Sequence, residues 1–174
     1  MSRRTVRARQ AIRLLVLDVD GVLTDGRLYF GPRGEALKVF DVRDGYGLNA
    51  VRHAGIRVAV ISGRRSQAVR ARCRELRVQH VHQGVSDKLA VFERLRARLK
   101  LSTAACACVG DDLPDVPLMK AVGLSFAVAD AHPQARRAAD RITRRRGGCG
   151  AVREVCDLLL ARAAQRPRGR GAGG

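Results

Sequence analysis

Short apolar runs at residues 12–18, 58–61, 80–82, 105–109 and 124–128 alternate with helix-patterned stretches at 47–54, 66–76, 87–99, 115–122 and 133–139. No other feature constrains the fold as strongly. A short, nearly continuous run of aliphatic residues reads as a strand buried on both faces. Strands of that kind separated by amphipathic helices build a parallel sheet with helices on both sides. The expected fold is therefore α/β, a Rossmann-like three-layer sandwich. A chain of 174 residues suffices for one such domain with a substantial core. A last helix is expected at 151–164, with Val152, Val155, Cys156, Leu159 and Leu160 on one face.

One segment breaks the alternation. Residues 27–40 read as a β-hairpin turning at 31–34, inserted directly after the first strand. The ends differ from the body. Residues 1–10 form a basic N-terminal extension, 11–164 a single domain, and 165–174 an Arg/Gly tail without periodicity, expected to be disordered.

A formal charge of +18 ordinarily suggests a nucleic-acid partner. Here nearly all the basic residues are arginine, the only lysines being Lys38, Lys88, Lys100 and Lys120. Alanine is abundant throughout and aromatic residues are scarce, so base-stacking platforms are few. The bias reads as compositional, and no specific nucleic-acid partner is expected. The apolar runs are too short for a membrane span and no export signal is evident, so a cytoplasmic protein is expected. Five cysteines in no metal-ligand spacing read as small buried hydrophobes. His80 and His82, alternating along a strand, read as structural.

In an open parallel sheet ligands collect at the carboxyl ends of the strands, and the polar signals of this chain fall there. The first strand runs into Asp18-Val19-Asp20-Gly21-Val22-Leu23-Thr24-Asp25-Gly26. Aspartate forms strands poorly, and crowded carboxylates repel unless a cation sits among them. The pair Asp18 and Asp20 therefore points to a divalent metal and chemistry on an anion. Ser62-Gly63-Arg64 follows the second strand, a hydroxyl and a glycine turn suited to phosphoryl oxygens. Asp87-Lys88 opens a later helix, and Gly110-Asp111-Asp112-Leu113-Pro114-Asp115 follows the 105–109 strand. Taken singly, Ser62, Ser66, Asp87 and Asp115 also suit helix caps and first turns. Their ordered occurrence at successive strand ends is what carries the chemistry.

That ordered set resembles the haloacid dehalogenase superfamily of phosphotransferases. More narrowly, DVDGVLTDGRLYF, DVRDGYG, ISGR, HQGVSDK, GDDLPDVPLM, VADAHP and GAVREVCDLLL resemble its 3-deoxy-D-manno-octulosonate 8-phosphate (KDO 8-phosphate) phosphatases. The resemblance implies a magnesium-dependent phosphatase acting in lipopolysaccharide synthesis through an aspartyl-phosphate. It also implies a homotetramer assembled by the 27–40 hairpin, which stands where larger relatives carry a cap domain. Asp18 would be the nucleophile and Asp20 its acid–base partner. Mg²⁺ would sit between Asp18, the Asp20 carbonyl and Asp111. Ser62 and Lys88 would balance the phosphoryl charge, and Asp112 and Asp115 would support that site from behind. By the same resemblance Asp20, the turn Asp41-Val42-Arg43-Asp44-Gly45, Asn49, Ser62, Gly63, Arg64, Arg72 and Lys88 would line the substrate side. Cys149 stands where the family usually has Arg, and Val116 where it often has Trp.

Two other readings remain at this point. One is a phosphatase for another sugar-acid phosphate, such as 2-keto-3-deoxy-nonulosonate 9-phosphate. The other is a receiver-like phospho-aspartate signalling module. A receiver carries its phospho-acceptor at the third main strand, where this chain has only His80–Gln83.

Overall fold

The computed structural model describes residues 10–165. The readings of a basic N-terminal extension and an Arg/Gly tail lie outside these residues, except at Gln10 and Gln165. The elements are β1 (Leu14–Leu17), β2 (Tyr29–Gly31), β3 (Gly34–Leu37), α1 (Val42–His53), β4 (Arg57–Ser62), α2 (Gln67–Glu75), β5 (His80–Gln83) and α3 (Lys88–Arg98). They continue with β6 (Cys106–Gly110), α4 (Val116–Ala121), β7 (Leu124–Ala127), α5 (Pro133–Ala138), β8 (Arg141–Ile142) and α6 (Ala151–Ala164). A 3₁₀ turn, Leu113–Asp115, leads into α4.

Six strands form one parallel sheet in the order β5-β4-β1-β6-β7-β8, and β2 and β3 form a separate antiparallel hairpin. This is the expected α/β sandwich. β1 occupies the centre, with Leu14 beside Arg57 and Cys106, and all four of its side chains are buried. The chain winds outward from β1 through β4 to β5, then crosses to β6 and winds outward the other way. β1 is therefore the topological switch point. On one face α1 packs against α6, and on the other α4 packs against α3 and α5.

Two differences from the sequence reading have clear causes. Helix α1 begins at Val42, so the expected turn at 41–45 is its cap and first turn. Asp41 accepts a hydrogen bond from the Arg43 amide there. Gly45 and Gly47 obscure the helical pattern, and in the fold both lie in close packing. A Cβ at Gly45 would run into the Arg72 guanidinium, and one at Gly47 would press on Arg153 and Cys156. Strand β8 went unread because its two residues, one charged, are both exposed on the sheet edge.

Cys73, Cys106, Cys108 and Cys156 are buried, as the composition suggests, and Cys149 is exposed. Among the described residues no helix is long and apolar enough to cross a membrane.

Candidate active site

Asp18 leaves the end of β1 with its amide still bonded to the Val109 carbonyl at 3.2 Å, so the loop that follows starts at a fixed height above the sheet. Val19 is fully buried and its carbonyl accepts from the amides of Val22, Leu23 and Thr24, closing a tight loop. Gly21 sits in the left-handed region, and a Cβ on it would collide with the Asp111 carboxylate. The missing side chain lets the loops after β1 and β6 meet. Gly147 and Gly148 seal the same loop from above: a Cβ on either would strike backbone of Gly21, Thr24 or Asp25. The Gly148 amide donates to the Val22 carbonyl at 2.9 Å.

Lys88, at the start of α3, is the hub beneath these loops. Its ammonium lies 2.7 Å from Asp18 Oδ2 and 2.7 Å from Asp115 Oδ1, with a side chain only 5 % exposed. Burial works against its charge, but Asp18 and Asp115 outweigh that and hold its pKa above the ordinary lysine value. Asp115 is fully engaged, since its other oxygen accepts from the amides of Asp111 and Asp112 at 3.0 and 3.3 Å. Asp112 caps the 3₁₀ turn through the Leu113 amide. Ser62, at the end of β4, is buried.

One ligand oxygen from each of Asp18, Asp111 and Asp115 lies within 4.8 Å of the others. Asp18 Oδ1 and Asp111 Oδ1 are buried and have no hydrogen-bond partner. Unpaired buried carboxylate oxygens are costly, and hard oxygen donors suit Mg²⁺. The cradle therefore fits a divalent cation held by Asp18 and Asp111, with Asp115 orienting the Asp111–Asp112 loop from behind.

The electrostatics agree. Burial, with the Asp115 charge adding to it, raises Asp18 to about 6 against the opposing pull of Lys88. Burial and the charges of Asp18 and Asp115 raise Asp111 to about 8. Without a cation, the folded protein keeps protons on these groups at pH values where the unfolded chain has lost them. Their contribution to stability is thus present below the ordinary carboxylate range and is lost as pH rises through about 6 to 8. Because Mg²⁺ requires the ionised carboxylates, its binding expels protons and tightens over that interval. The Mg²⁺-induced rise in Tm is expected to be larger at pH 8 than at pH 6. Equal shifts at the two pH values in thermal melts would count against a carboxylate cradle.

Asp20 points toward the hairpin. Its Oδ1 pairs with Lys38 Nζ, and Arg64 Nε lies 4.0 Å from its Oδ2. Glu35 accepts from Lys38 at 3.2 Å and from Arg64 at 3.4 Å. Lys38 and Glu35 were absent from the sequence-based site because only the folding-back of the hairpin brings them there. A signal did exist: Lys38 and Lys88 are two of just four lysines in an arginine-rich chain.

The remaining sequence-based residues divide. Arg64 is 42 % exposed above Asp20, beside the exposed Gly63. Asp41 binds the Arg43 guanidinium at 2.6 Å, and Arg43 also donates to the Cys149 carbonyl at 3.4 Å. Val42 is exposed. Asp44 instead turns inward, 2 % exposed, and accepts from the Arg153 amide at 2.7 Å. Gly150 has no side chain to cap α6, so the Asp44 carboxylate serves that helix end across the α1–α6 packing. Burial raises its pKa to about 6. Asn49 accepts from Arg52, and Arg72 pairs with Glu75 under Gly45. His80 and His82 lie on edge strand β5 and join no metal-binding group among the described residues.

A family model for haloacid dehalogenase-like hydrolases matches residues 77–153. The 3-deoxy-D-manno-octulosonate 8-phosphate phosphatase of Escherichia coli K12 is 52 % identical over 160 residues, covering 92 % of this chain and 85 % of the relative. The solved structure of the Moraxella catarrhalis enzyme, in complex with magnesium ion, phosphate ion and KDO, superposes with a TM-score of 0.86. It is 40 % identical, over 92 % of each chain. The Yersinia pestis enzyme gives a TM-score of 0.85 at 49 % identity, covering 91 % of this chain and 84 % of that one.

Proposed function

This chain belongs to the 3-deoxy-D-manno-octulosonate 8-phosphate phosphatases of the haloacid dehalogenase superfamily, and from that premise we propose that Asp18 and Asp20 divide the hydrolysis of KDO 8-phosphate between them. The protein is a Mg²⁺-dependent phosphatase releasing KDO and inorganic phosphate. The observation that carries the assignment of roles is the pair of unpartnered buried oxygens, Asp18 Oδ1 and Asp111 Oδ1, beside a lysine-bound nucleophile.

Asp18, Asp111 and the Asp20 backbone carbonyl would hold the ion. When bound, Mg²⁺ supplies positive charge that lets an anionic nucleophile approach an anionic phosphate. The Asp18 carboxylate attacks phosphorus, forming the O–P bond of an aspartyl-phosphate as the bond from phosphorus to the sugar oxygen breaks. Asp20 gives a proton to that departing oxygen. It then takes a proton from the water that cleaves the aspartyl-phosphate and restores Asp18. Lys88 keeps Asp18 ionised and oriented, and offsets charge on the transferring group along with the Ser62 hydroxyl. Arg64 and Arg43 present guanidinium groups on the open side, where a sugar acid carries its own carboxylate.

We also infer a homotetramer built on the hairpin, and a cytoplasmic location. Support for the assembly comes from exposed apolar side chains. Phe30, Leu37 and Val39 of the hairpin are exposed, as are Val42 and Tyr46 of α1, an unusual concentration for a free surface.

Substrate choice is tested by comparing kcat/KM on KDO 8-phosphate with that on 2-keto-3-deoxy-nonulosonate 9-phosphate. Preference for the eight-carbon substrate is expected. Equal or better use of the nine-carbon one would overturn the choice of the eight-carbon sugar acid.

A further inference from the structure

The residues that close the hairpin after β3 turn to alternate sides. Leu37 and Val39 are 48 % and 54 % exposed, while the side chain of Lys38 between them is 1 % exposed. An ammonium removed from water in this way needs anionic partners, or its desolvation goes uncompensated. Lys38 has two, Asp20 Oδ1 and Glu35 Oε2. The same Glu35 oxygen also accepts from the Arg64 guanidinium at 3.4 Å. The lysine is therefore braced by a carboxylate of its own hairpin, one that also pairs with Arg64 of the loop after β4. Its other bond falls on the group that serves the leaving oxygen.

We propose that Lys38 is a positioning residue for the leaving-group step: braced by Glu35, it holds the Asp20 carboxyl in the orientation from which Asp20 reaches the sugar oxygen. The proposal rests on the acid–base role assigned to Asp20 above. It makes the hairpin part of the reacting centre of its own subunit, in addition to any part in assembly. Without Lys38, Asp20 Oδ1 has no fixed partner and the side chain is free to leave that orientation, since Arg64 lies 4.0 Å away and is itself 42 % exposed. Misplacement of a reacting group by an ångström costs on the order of 100-fold in rate.

A simple rivet holding the hairpin would behave differently, and leaving-group chemistry separates the two. A sugar alkoxide is a poor leaving group that needs a proton, whereas p-nitrophenolate leaves without one. The quantity to compare is kcat/KM, which covers the steps through phosphoryl transfer to Asp18 and excludes the later hydrolysis. For Lys38→Met, kcat/KM on KDO 8-phosphate is expected to fall about 100-fold, while that on p-nitrophenyl phosphate falls only a few-fold. Asp20→Asn should show the same selectivity to a greater degree, and adding Lys38→Met to Asp20→Asn should cost nothing more. Glu35→Gln, which keeps both other groups and removes the brace, should reproduce the selectivity in weaker form. It carries the test if Lys38→Met does not fold.

Equal losses on the two substrates, or no loss, would overturn the positioning role. If Asp20→Asn is selective and the Lys38 and Glu35 variants are not, the proposal alone fails. If Asp20→Asn shows no selectivity, the acid–base reading fails and the proposal falls with it.

Discussion

Asp18→Asn is expected to reduce Mg²⁺-dependent phosphate release to background, a loss of at least about 10⁴-fold of the kind seen when a nucleophile is removed. The substitution keeps the shape of the side chain and replaces the attacking carboxylate with an amide that cannot form an acyl phosphate. It should not unfold the protein. Asp18 is crowded by Asp115, and its charge in turn helps to raise Asp111 to about 8. Neutralising it relieves that repulsion while Lys88 keeps its 2.7 Å partner in Asp115. In the absence of Mg²⁺ the variant's Tm should therefore equal or exceed that of the wild type. The gain in Tm on adding Mg²⁺ should shrink, because one ligand has gone. Retention of more than a few per cent of turnover would remove Asp18 from the mechanism.

Lys88→Met is expected to fail in two ways. Its ammonium is the cation shared by Asp18 and Asp115, and all three side chains are nearly buried. Removing one member of a buried ionic group leaves uncompensated charge, at a cost of about 3–5 kcal/mol. A large fall in Tm without metal should follow, partly recovered by Mg²⁺, which replaces some of the missing positive charge. Activity should not recover with it. The transferring phosphoryl group loses a preplaced cation, and effects of that kind are worth about 10²–10³ in kcat. Melts and turnover measured on one preparation, with and without Mg²⁺, separate the two losses. Wild-type kcat in a stably folded Lys88→Met protein would reduce the lysine to a structural ion pair.

These two residues belong to the part of the site that could be read from the sequence, and the reason is topological. A parallel sheet delivers the ends of β1, β4 and β6 to one rim, so residues such as Asp18, Ser62 and Asp111 converge once the strands are recognised. Lys88 is legible for a similar reason, since it opens a helix right after a strand-end loop. Contacts that depend on how non-sheet segments fold back were not legible. Lys38 and Glu35 lie on a hairpin whose only local signal is its alternation, and their meeting with Asp20 and Arg64 is entirely tertiary. Asp44 shows the same limit from the other direction. Its place in the DVRDGYG stretch suggests a turn facing substrate, yet the folded chain uses its carboxylate to satisfy the start of α6, over a hundred residues away in sequence. The glycines that hid α1 lie where Arg72, Arg153 and Cys156 come close to the helix.

In the proposed reaction, phosphate passes through Asp18 with a divalent ion in the carboxylate cradle. The most direct measurement is acid quench of the wild-type protein within the first turnovers on KDO 8-phosphate, followed by mapping of the phosphorylated peptide. With Mg²⁺ present, the phosphoryl group should lie on the peptide containing Asp18, and with excess EDTA neither that peptide nor free phosphate should form. Undiminished phosphate release in EDTA, or turnover in Mg²⁺ with the label on another residue, would remove the ion or Asp18, respectively, from the reaction.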